Sequence, residues 1–246
     1  MNKDKDRFKP IVKDVVGFLS TRANPDLVAK YSRYFKEGYP GWGISDADLK
    51  ACHDLLNSKY PDLTLKDIIP LGLELFRVGK YEAGSIAIRF LMQHKKAYDL
   101  DTFKGVRTWY DQGVSNWAHS DTICTNIIPE FFMRGIITYQ DFEDWKGSES
   151  KWTRRAVPVA LLHVRKTEPP PKLLAFLDSM LLDGGREVHQ GLGWFLRELW
   201  KLHPEPVETF LLKYKNTAAR LIFQYATEKM TKEQKERFRK EKTART

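Results

Sequence analysis

The sequence predicts an all-α fold made of many short helices. Apolar residues recur at three- and four-residue spacing along almost the whole chain, which is the pattern of a helix with one buried face. Long alternating stretches, the pattern of half-buried strands, are scarce. Hydrophobic residues make up 42% of the 246 positions, so the chain has enough apolar material for a continuous core.

Local signals mark where several of these helices begin. Asn24 is a typical N-cap, and Pro25 suits the first helical position that follows it. Ser45, with Asp48 three residues later, forms a loose capping box. The Gly- and Pro-rich segment 38–43 indicates a loop. In order, the predicted helices are 11–19, 25–35, 45–57, 65–78, 81–96, 102–112, 117–133, 139–145, 151–165, 172–182, 187–202, 206–214, 217–230 and a charged helix from 232.

Three of the predicted helices carry similar internal patterns, which indicates a repeat. Trp117 and Arg155 are 38 residues apart, and Arg155 and Trp194 are 39 apart. One antiparallel helix pair of the HEAT or armadillo kind takes about 40 residues. We therefore predict an α-solenoid of about six to seven HEAT- or armadillo-like helix pairs. It would form a single domain over residues 1–246 with a concave binding face. An ordinary globular helical fold is the alternative.

The net charge of +9 favours a polyanionic partner. Segment 229–245 holds eight Lys or Arg against three Glu, which accounts for +5 of that total. Segment 1–9 adds four Lys or Arg against two Asp, or +2, so the body between is nearly balanced. We predict charged termini at 1–9 and about 231–246, although a solvated tail that maintains solubility is the simpler interpretation.

Several classes of protein lack support in the sequence. No apolar run approaches the roughly 20 residues that cross a bilayer, and no signal peptide is recognisable. Only two cysteines are present, which fits a reducing, cytoplasmic setting. No P-loop, dinucleotide-binding fingerprint, H-E-x-x-H or paired C-x-x-C occurs, so we expect neither a metal nor a cofactor.

A small set of side chains stands out as candidate site residues. Trp117 and Asp121, four residues apart, would share one helix face about one turn apart. Taken alone, each has a simpler interpretation, because a helical Trp is usually core and an Asp is often a surface charge. Arg155 could likewise be a solvated charge. Trp194 follows Gly191 and Gly193, small residues that would let another backbone or a ligand approach the indole.

At these residues the sequence resembles the AlkD-like DNA alkylation repair proteins, a family of HEAT-like-repeat DNA glycosylases. The resemblance covers most of the chain and is strongest from about residue 100 onward. Ala118-His119-Ser120 and the pair Thr153-Arg154 depart from the segments of the best-known members. The matching segments are Trp117-x-x-x-Asp121, Trp152-Thr-Arg-Arg155-Ala, Gly193-Trp194-Phe-Leu-Arg-Glu198, 219–230 and, near the N-terminus, 30–36.

The resemblance implies an activity and a role for each candidate residue. Members of the family excise N3- and N7-alkylated purines from duplex DNA, in base excision repair, by hydrolysing the N-glycosidic bond. Asp121 would then be the catalytic carboxylate that stabilises an oxocarbenium-like sugar, with Trp117 and Trp194 placing their ring faces against it. Arg155 would hold a backbone phosphate on a concave DNA-binding face, with Arg154 and Arg220 as further phosphate contacts.

Two functional hypotheses follow. The first is a monomeric, cytoplasmic DNA glycosylase for alkylated purines that acts on double-stranded DNA without a cofactor. The alternative is a non-catalytic HEAT-repeat module that binds DNA or a protein partner, since solenoids serve widely in binding. The joint presence of Trp117, Asp121, Arg155 and Trp194 favours the enzyme.

Overall fold

The computed structural model describes residues 3–36 and 38–241, with the backbone alone for residues 3–5. Its regular elements are all helical, and the described residues contain no strand, which confirms the all-α prediction. Single-turn or short 3₁₀ helices lie at Lys95–Ala97, Tyr139–Trp145 and Asp178–Leu182. The α-helices are α1 (Lys3–Ser20), α2 (Pro25–Ser32), α3 (Asp46–Lys59), α4 (Leu65–Arg77), α5 (Tyr81–Gln93), α6 (Leu100–Gln112), α7 (Trp117–Asn126), α8 (Ile128–Met133), α9 (Lys151–Ala160), α10 (Pro170–Leu177), α11 (Arg186–Trp200), α12 (Pro204–Tyr214), α13 (Arg220–Ala226) and α14 (Lys232–Glu236).

The predicted helix starts are confirmed where a polar cap marks them. The Asn24 side chain accepts hydrogen bonds from the backbone N–H groups of Asp26 and Leu27. The Ser45 hydroxyl oxygen accepts from the Asp48 N–H at 3.1 Å. These caps satisfy donors that the first turn of a helix cannot pair internally.

Several predicted helices differ from the structure in their bounds: the predicted helix 11–19, for example, begins at Lys3. Two others contain a proline near the difference. The predicted helix 117–133 is two helices, α7 and α8, separated at Ile127. Pro129 lies just beyond the break, and proline lacks the N–H that a continuous helix would need there. The predicted helix 151–165 stops as α-helix at Ala160, two residues after Pro158.

The described chain divides into two compact units, one up to Phe131 and one from Phe132. The single domain over residues 1–246 stays a prediction, as does the concave face. In the first unit α4 packs on α5, α6 and α1, while α5 also contacts α3 and α7. The fully buried Trp109 of α6 lies against Gly72 of α4, where a Cβ atom would come within 2.1 Å of the indole.

In the second unit α11 is the central helix. It packs on α9, α13 and α12, and α12 also contacts α10. The core is built from fully buried apolar side chains on these helices, such as Val157, Leu196 and Phe223. Pairs of packed helices in each unit are consistent with the predicted helical-repeat solenoid.

The basic C-terminal segment is only partly a solvated tail. The predicted charged helix is present as α14, and Phe238 beyond it is 1% exposed. Arg237 pairs with Glu208, and Lys215 with Glu241 at 2.6 Å. Of the predicted charged termini, residues 1, 2 and 242–246 lie outside the described residues. In the described part of the chain, every helix is too short or too polar to span a bilayer.

Candidate functional site

Trp117 and Asp121 both lie on α7, as the sequence predicts. Asn116 caps this helix, because its side-chain oxygen accepts a hydrogen bond from the His119 N–H at 2.9 Å. Trp117 is the first helical residue and is 39% exposed, so it is not a core tryptophan. Asp121 follows one turn later and is half-buried. The first turns of α7 therefore present an accessible indole and a carboxylate together.

The Trp117 indole is held by the segment that follows α2. Its Nε1–H donates a hydrogen bond to the Tyr34 carbonyl oxygen at 3.0 Å. Its ring stacks on Phe35, with centroids 5.6 Å apart and planes inclined by 29°. The indole borders a cavity of about 320 Å³ whose lining combines aromatic rings with Asp46 and small or apolar side chains. The aromatic residues are Tyr31, Tyr34, Phe35, Tyr39, Tyr81 and Trp117. Sequence reasoning found the resemblance at 30–36 but not this contact.

His119, between the two candidate residues in sequence, points inward. Its side chain is buried, and its ring stacks on Tyr81 with centroids 4.5 Å apart and planes inclined by 6°. Burial lowers the pKa of His119 to about 4, because the interior disfavours the charged imidazolium. The imidazole is therefore neutral at physiological pH.

The buried His119 predicts a loss of stability in acid. Its folded-state pKa of about 4 lies below the pKa near 6.5 of an exposed histidine. Between these values the unfolded chain binds a proton that the folded chain does not. The free energy of unfolding therefore falls as pH falls through this window, by about 3 kcal/mol in total.

Urea unfolding of the wild type and of His119→Gln between about pH 7 and pH 4 measures this contribution. Every other titrating group is common to both proteins, so the difference between their unfolding free energies isolates His119. As the pH is lowered, the wild type should lose more unfolding free energy than His119→Gln does. A difference that is independent of pH would contradict the prediction.

Arg155 is the least exposed of the predicted phosphate contacts. It lies on α9, is 7% exposed, and donates a hydrogen bond from Nη1 to the Glu187 carbonyl oxygen at 2.8 Å. Glu187 belongs to the first turn of α11, and its carboxylate pairs with Lys151 at 2.6 Å. Arg155 thus joins α9 to the start of the helix that carries Trp194.

Arg154 and Arg220 are placed differently. Arg154 pairs with Asp183 at 2.7 Å and donates to the Ser148 carbonyl oxygen at 2.7 Å. Arg220 is the first residue of α13 and is exposed. Its Nη1 donates to the Phe238 carbonyl oxygen at 2.9 Å, and its guanidinium lies over the Phe223 ring. Arg220 is therefore the most accessible cation of the three.

The glycines beside Trp194 serve helix packing rather than ligand access. A Cβ atom on Gly191 would come within 3.3 Å of the Arg155 backbone oxygen on α9. One on Gly193 would come within 2.4 Å of Tyr225 on α13. These glycines let α11 approach both neighbours, and Trp194 itself is half-buried. The sequence left open whether another backbone or a ligand approaches here, and in the structure it is the backbone of neighbouring helices.

The candidate residues thus form two groups, one in each unit. Trp117 and Asp121 share α7 in the first unit. Arg154, Arg155, Trp194 and Arg220 lie on α9, α11 and α13, which pack together in the second unit. Among the described residues, no group of three or more His, Cys, Asp or Glu side chains is arranged to hold a metal ion.

The fold and these residues define a helical-repeat protein with a tryptophan–carboxylate pair at the start of one helix. Residues 18–230 of the sequence match the protein family described as DNA alkylation repair enzyme, so the chain belongs to this family. This confirms the family resemblance found in the sequence. None of the curated proteins matches significantly.

Two solved structures show the same fold. A predicted DNA alkylation repair enzyme from Enterococcus faecalis has a TM-score of 0.71 and 17% identity, covering 86% of this chain and 98% of that one. AlkD2 from Streptococcus mutans has a TM-score of 0.54 and 19% identity, covering 82% of this chain and 96% of that one. Membership of the family supports a role in the repair of alkylated DNA.

Proposed function

We propose that the protein is a DNA glycosylase that removes N3- and N7-alkylated purines from double-stranded DNA. The observation that carries this proposal is the Trp117–Asp121 pair on α7, in a chain that belongs to the DNA alkylation repair family. An accessible indole and a carboxylate one helical turn apart suit a reaction that develops positive charge on a sugar. The protein would act as a monomer in the cytoplasm and need no cofactor.

The proposed reaction breaks the bond between C1′ of the deoxyribose and the purine nitrogen. The bonding electron pair leaves with the base, which neutralises the positive charge that alkylation placed on the ring. The base is therefore a good leaving group, and little acid catalysis is needed. Water then adds to C1′ and gives its proton to Asp121 or to solvent. The products are the free alkylated base and an abasic site.

The site lowers the barrier chiefly by electrostatic stabilisation. The sugar passes through an oxocarbenium-like state, and the negative charge of a carboxylate at position 121 would stabilise it. The ring face of Trp117 would add about 0.5–2 kcal/mol through cation–π attraction. A role for the Trp194 indole at the sugar is what the family resemblance implies. Both indoles retain exposed surface, as contact with DNA requires.

We assign the phosphate contacts to Arg155, Arg154 and Arg220, which position DNA without reading its sequence. Arg220 is exposed and can reach a phosphate directly. Arg155 contributes in a second way, because its bond to the Glu187 carbonyl oxygen holds the start of α11. Its removal would thus disturb Trp194 as well as weaken DNA binding.

Replacement of Arg220 by Ala is expected to weaken binding to duplexes of any sequence. A phosphate contact releases about one counterion, so the slope of log K against log salt should fall by about 1. Fluorescence anisotropy with a labelled duplex over a range of salt concentrations measures this slope. Arg220→Lys keeps the charge and should keep the slope. Equal slopes for wild type and Arg220→Ala would contradict the assignment.

The activity is tested by incubating the wild-type protein with N-methylated duplex DNA and measuring free 7-methylguanine by chromatography. Release above the spontaneous rate is the expected result. Duplex binding without release of any N3- or N7-alkylated purine would favour the non-catalytic DNA-binding module. Neither release nor binding would point to a protein partner.

A further inference from the structure

We propose that His119, Tyr81 and Phe35 form a positioning assembly that fixes the Trp117 indole before DNA binds. Here the positioning assembly means these three rings together with the Asn116 and Ser85 side chains that hold His119. Its catalytic consequence rests on the proposed glycosylase activity, whereas its effect on Trp117 concerns the free protein alone. All of its members lie in the first unit.

The N-cap of α7 determines the orientation of the Asn116 amide. The Asn116 side-chain oxygen accepts from the His119 backbone N–H at 2.9 Å, which leaves Nδ2 to face the His119 ring. Nδ2 lies 3.0 Å from His119 Nδ1 and can only donate, so Nδ1 must be the acceptor. The cap thereby selects the neutral tautomer with its proton on Nε2.

That proton connects α7 to α5. His119 Nε2 lies 3.2 Å from the Ser85 hydroxyl, which in turn donates to the Tyr81 carbonyl oxygen at 3.1 Å. Gly84 makes room for the ring, since a Cβ atom there would come within 2.6 Å of His119 Cε1. Both ring nitrogens are therefore engaged, and the imidazole has one orientation.

The fixed imidazole continues into a row of aromatic contacts that ends at Trp117. Tyr81 stacks on His119 and meets Phe35 edge-on, with centroids 5.8 Å apart. Phe35 then covers one face of the Trp117 indole. The hydrogen bond from Trp117 Nε1 to the Tyr34 carbonyl oxygen fixes the rotation of the indole in its plane.

This arrangement matters because Trp117 is a first-turn side chain with 39% of its surface exposed. Such a side chain ordinarily samples several rotamers, and each would place the ring differently against a sugar. A catalytic group gains its effect from being held in the productive geometry, and a displacement of 1 Å can cost about 100-fold in rate. The positioning assembly supplies that constraint from behind the exposed face.

The inference is tested with protein labelled with 5-fluorotryptophan. The chain has seven tryptophans, so the ¹⁹F NMR spectrum should show seven resonances. Loss of one resonance in Trp117→Phe identifies the signal of Trp117. Phe35→Leu removes the direct contact, and His119→Leu removes the remote one; each should shift or broaden that signal. If His119→Leu does not fold, Tyr81→Leu interrupts the same row.

His53→Leu is the matched control. His53 is also a largely buried imidazole packed on an aromatic ring, with its centroid 5.0 Å from that of Phe90. Its partners are Asn57, Asp54 and Phe90, and none of them belongs to the positioning assembly. The Trp117 resonance should therefore stay in place. Phe35→Leu moves the resonance through loss of the stacked ring alone, so the remote variants decide: a Trp117 resonance that is unchanged in folded His119→Leu or, failing that, Tyr81→Leu would overturn the inference.

Kinetics then separate positioning from a purely structural role. Phe35→Leu and His119→Leu should lower kcat for base release about 10- to 100-fold with little change in KM, and His53→Leu should match the wild type. A moved resonance with unchanged kcat would overturn the catalytic part. If the wild type releases no base, the proposed function fails while the NMR result still decides whether the assembly fixes Trp117.

Discussion

Asp121→Asn is expected to slow the release of 7-methylguanine about 100- to 1000-fold, which corresponds to about 2.7–4 kcal/mol of transition-state stabilisation. The substitution keeps the shape of the side chain but removes its charge. That charge is what would stabilise a cationic sugar, whereas the neutral amide can neither do so nor accept a proton from water. Ground-state contacts with the phosphate backbone do not depend on it, so duplex affinity should change by less than about threefold.

Single-turnover kinetics with excess protein and a duplex that contains one 7-methylguanine measure the chemical step directly. Asp101→Asn is a suitable control, because it removes an exposed carboxylate of α6 that has no proposed role. It should match the wild type. Equal rates for Asp121→Asn and the wild type would remove Asp121 from the mechanism, even if the protein proved to be a glycosylase.

The sequence predicted which segments are helical better than it predicted where each helix ends. Spacing of apolar residues identifies a buried face wherever a helix forms, so nearly every helix was found. Where a helix ends depends on single residues, and the predicted helix 117–133 ran through Pro129 because apolar periodicity continues across the break between α7 and α8. The buried Phe238 was likewise hidden in a segment dominated by charge.

The candidate site divides in the same way between local and distant information. Trp117 and Asp121 are four residues apart, so their common face on α7 follows from helix geometry. The contact of Trp117 with Tyr34 and Phe35 joins positions more than 80 residues apart in sequence, and no local pattern encodes it. The family resemblance supplied the roles of the residues, but not the assembly behind them.

Glu82 holds the loop 39–44, and the sequence did not reveal this for a related reason. Glu82 reads as an ordinary acidic residue in the first turn of α5, where a carboxylate favours the helix dipole. In the structure it is fully buried, and its partners come from a loop about 40 residues earlier. A single sequence gives no sign of such a long-range pairing.

Glu82→Ala is expected to lower the free energy of unfolding by about 3–5 kcal/mol. The carboxylate accepts from the Tyr39 hydroxyl at 2.7 Å and from the backbone N–H groups of Trp42 at 2.9 Å, Gly43 at 2.8 Å and Ile44 at 3.3 Å. Gly43 has a φ of +74° and lies against α2, so this loop cannot easily rearrange to satisfy the donors elsewhere.

Urea unfolding measures the loss. Glu74→Ala removes a carboxylate whose side chain is 25% exposed and whose partner is Arg77, and it should cost less than about 1 kcal/mol. Glu82→Gln keeps one acceptor oxygen, so its loss of unfolding free energy should lie between those of Glu82→Ala and Glu74→Ala. A loss below about 1 kcal/mol for Glu82→Ala would show that the loop does not depend on this carboxylate.

The same substitution connects stability to the candidate site. The Tyr39 hydroxyl donates to Glu82. The Tyr39 ring packs against Phe35 and Tyr81, with centroid distances of 5.1 Å and 5.2 Å. Release of Tyr39 should therefore loosen the positioning assembly and shift the Trp117 resonance in the folded fraction. Because Glu74→Ala leaves Tyr39 in place, a shift seen only with Glu82→Ala would trace the path from a buried carboxylate through the loop to the exposed indole.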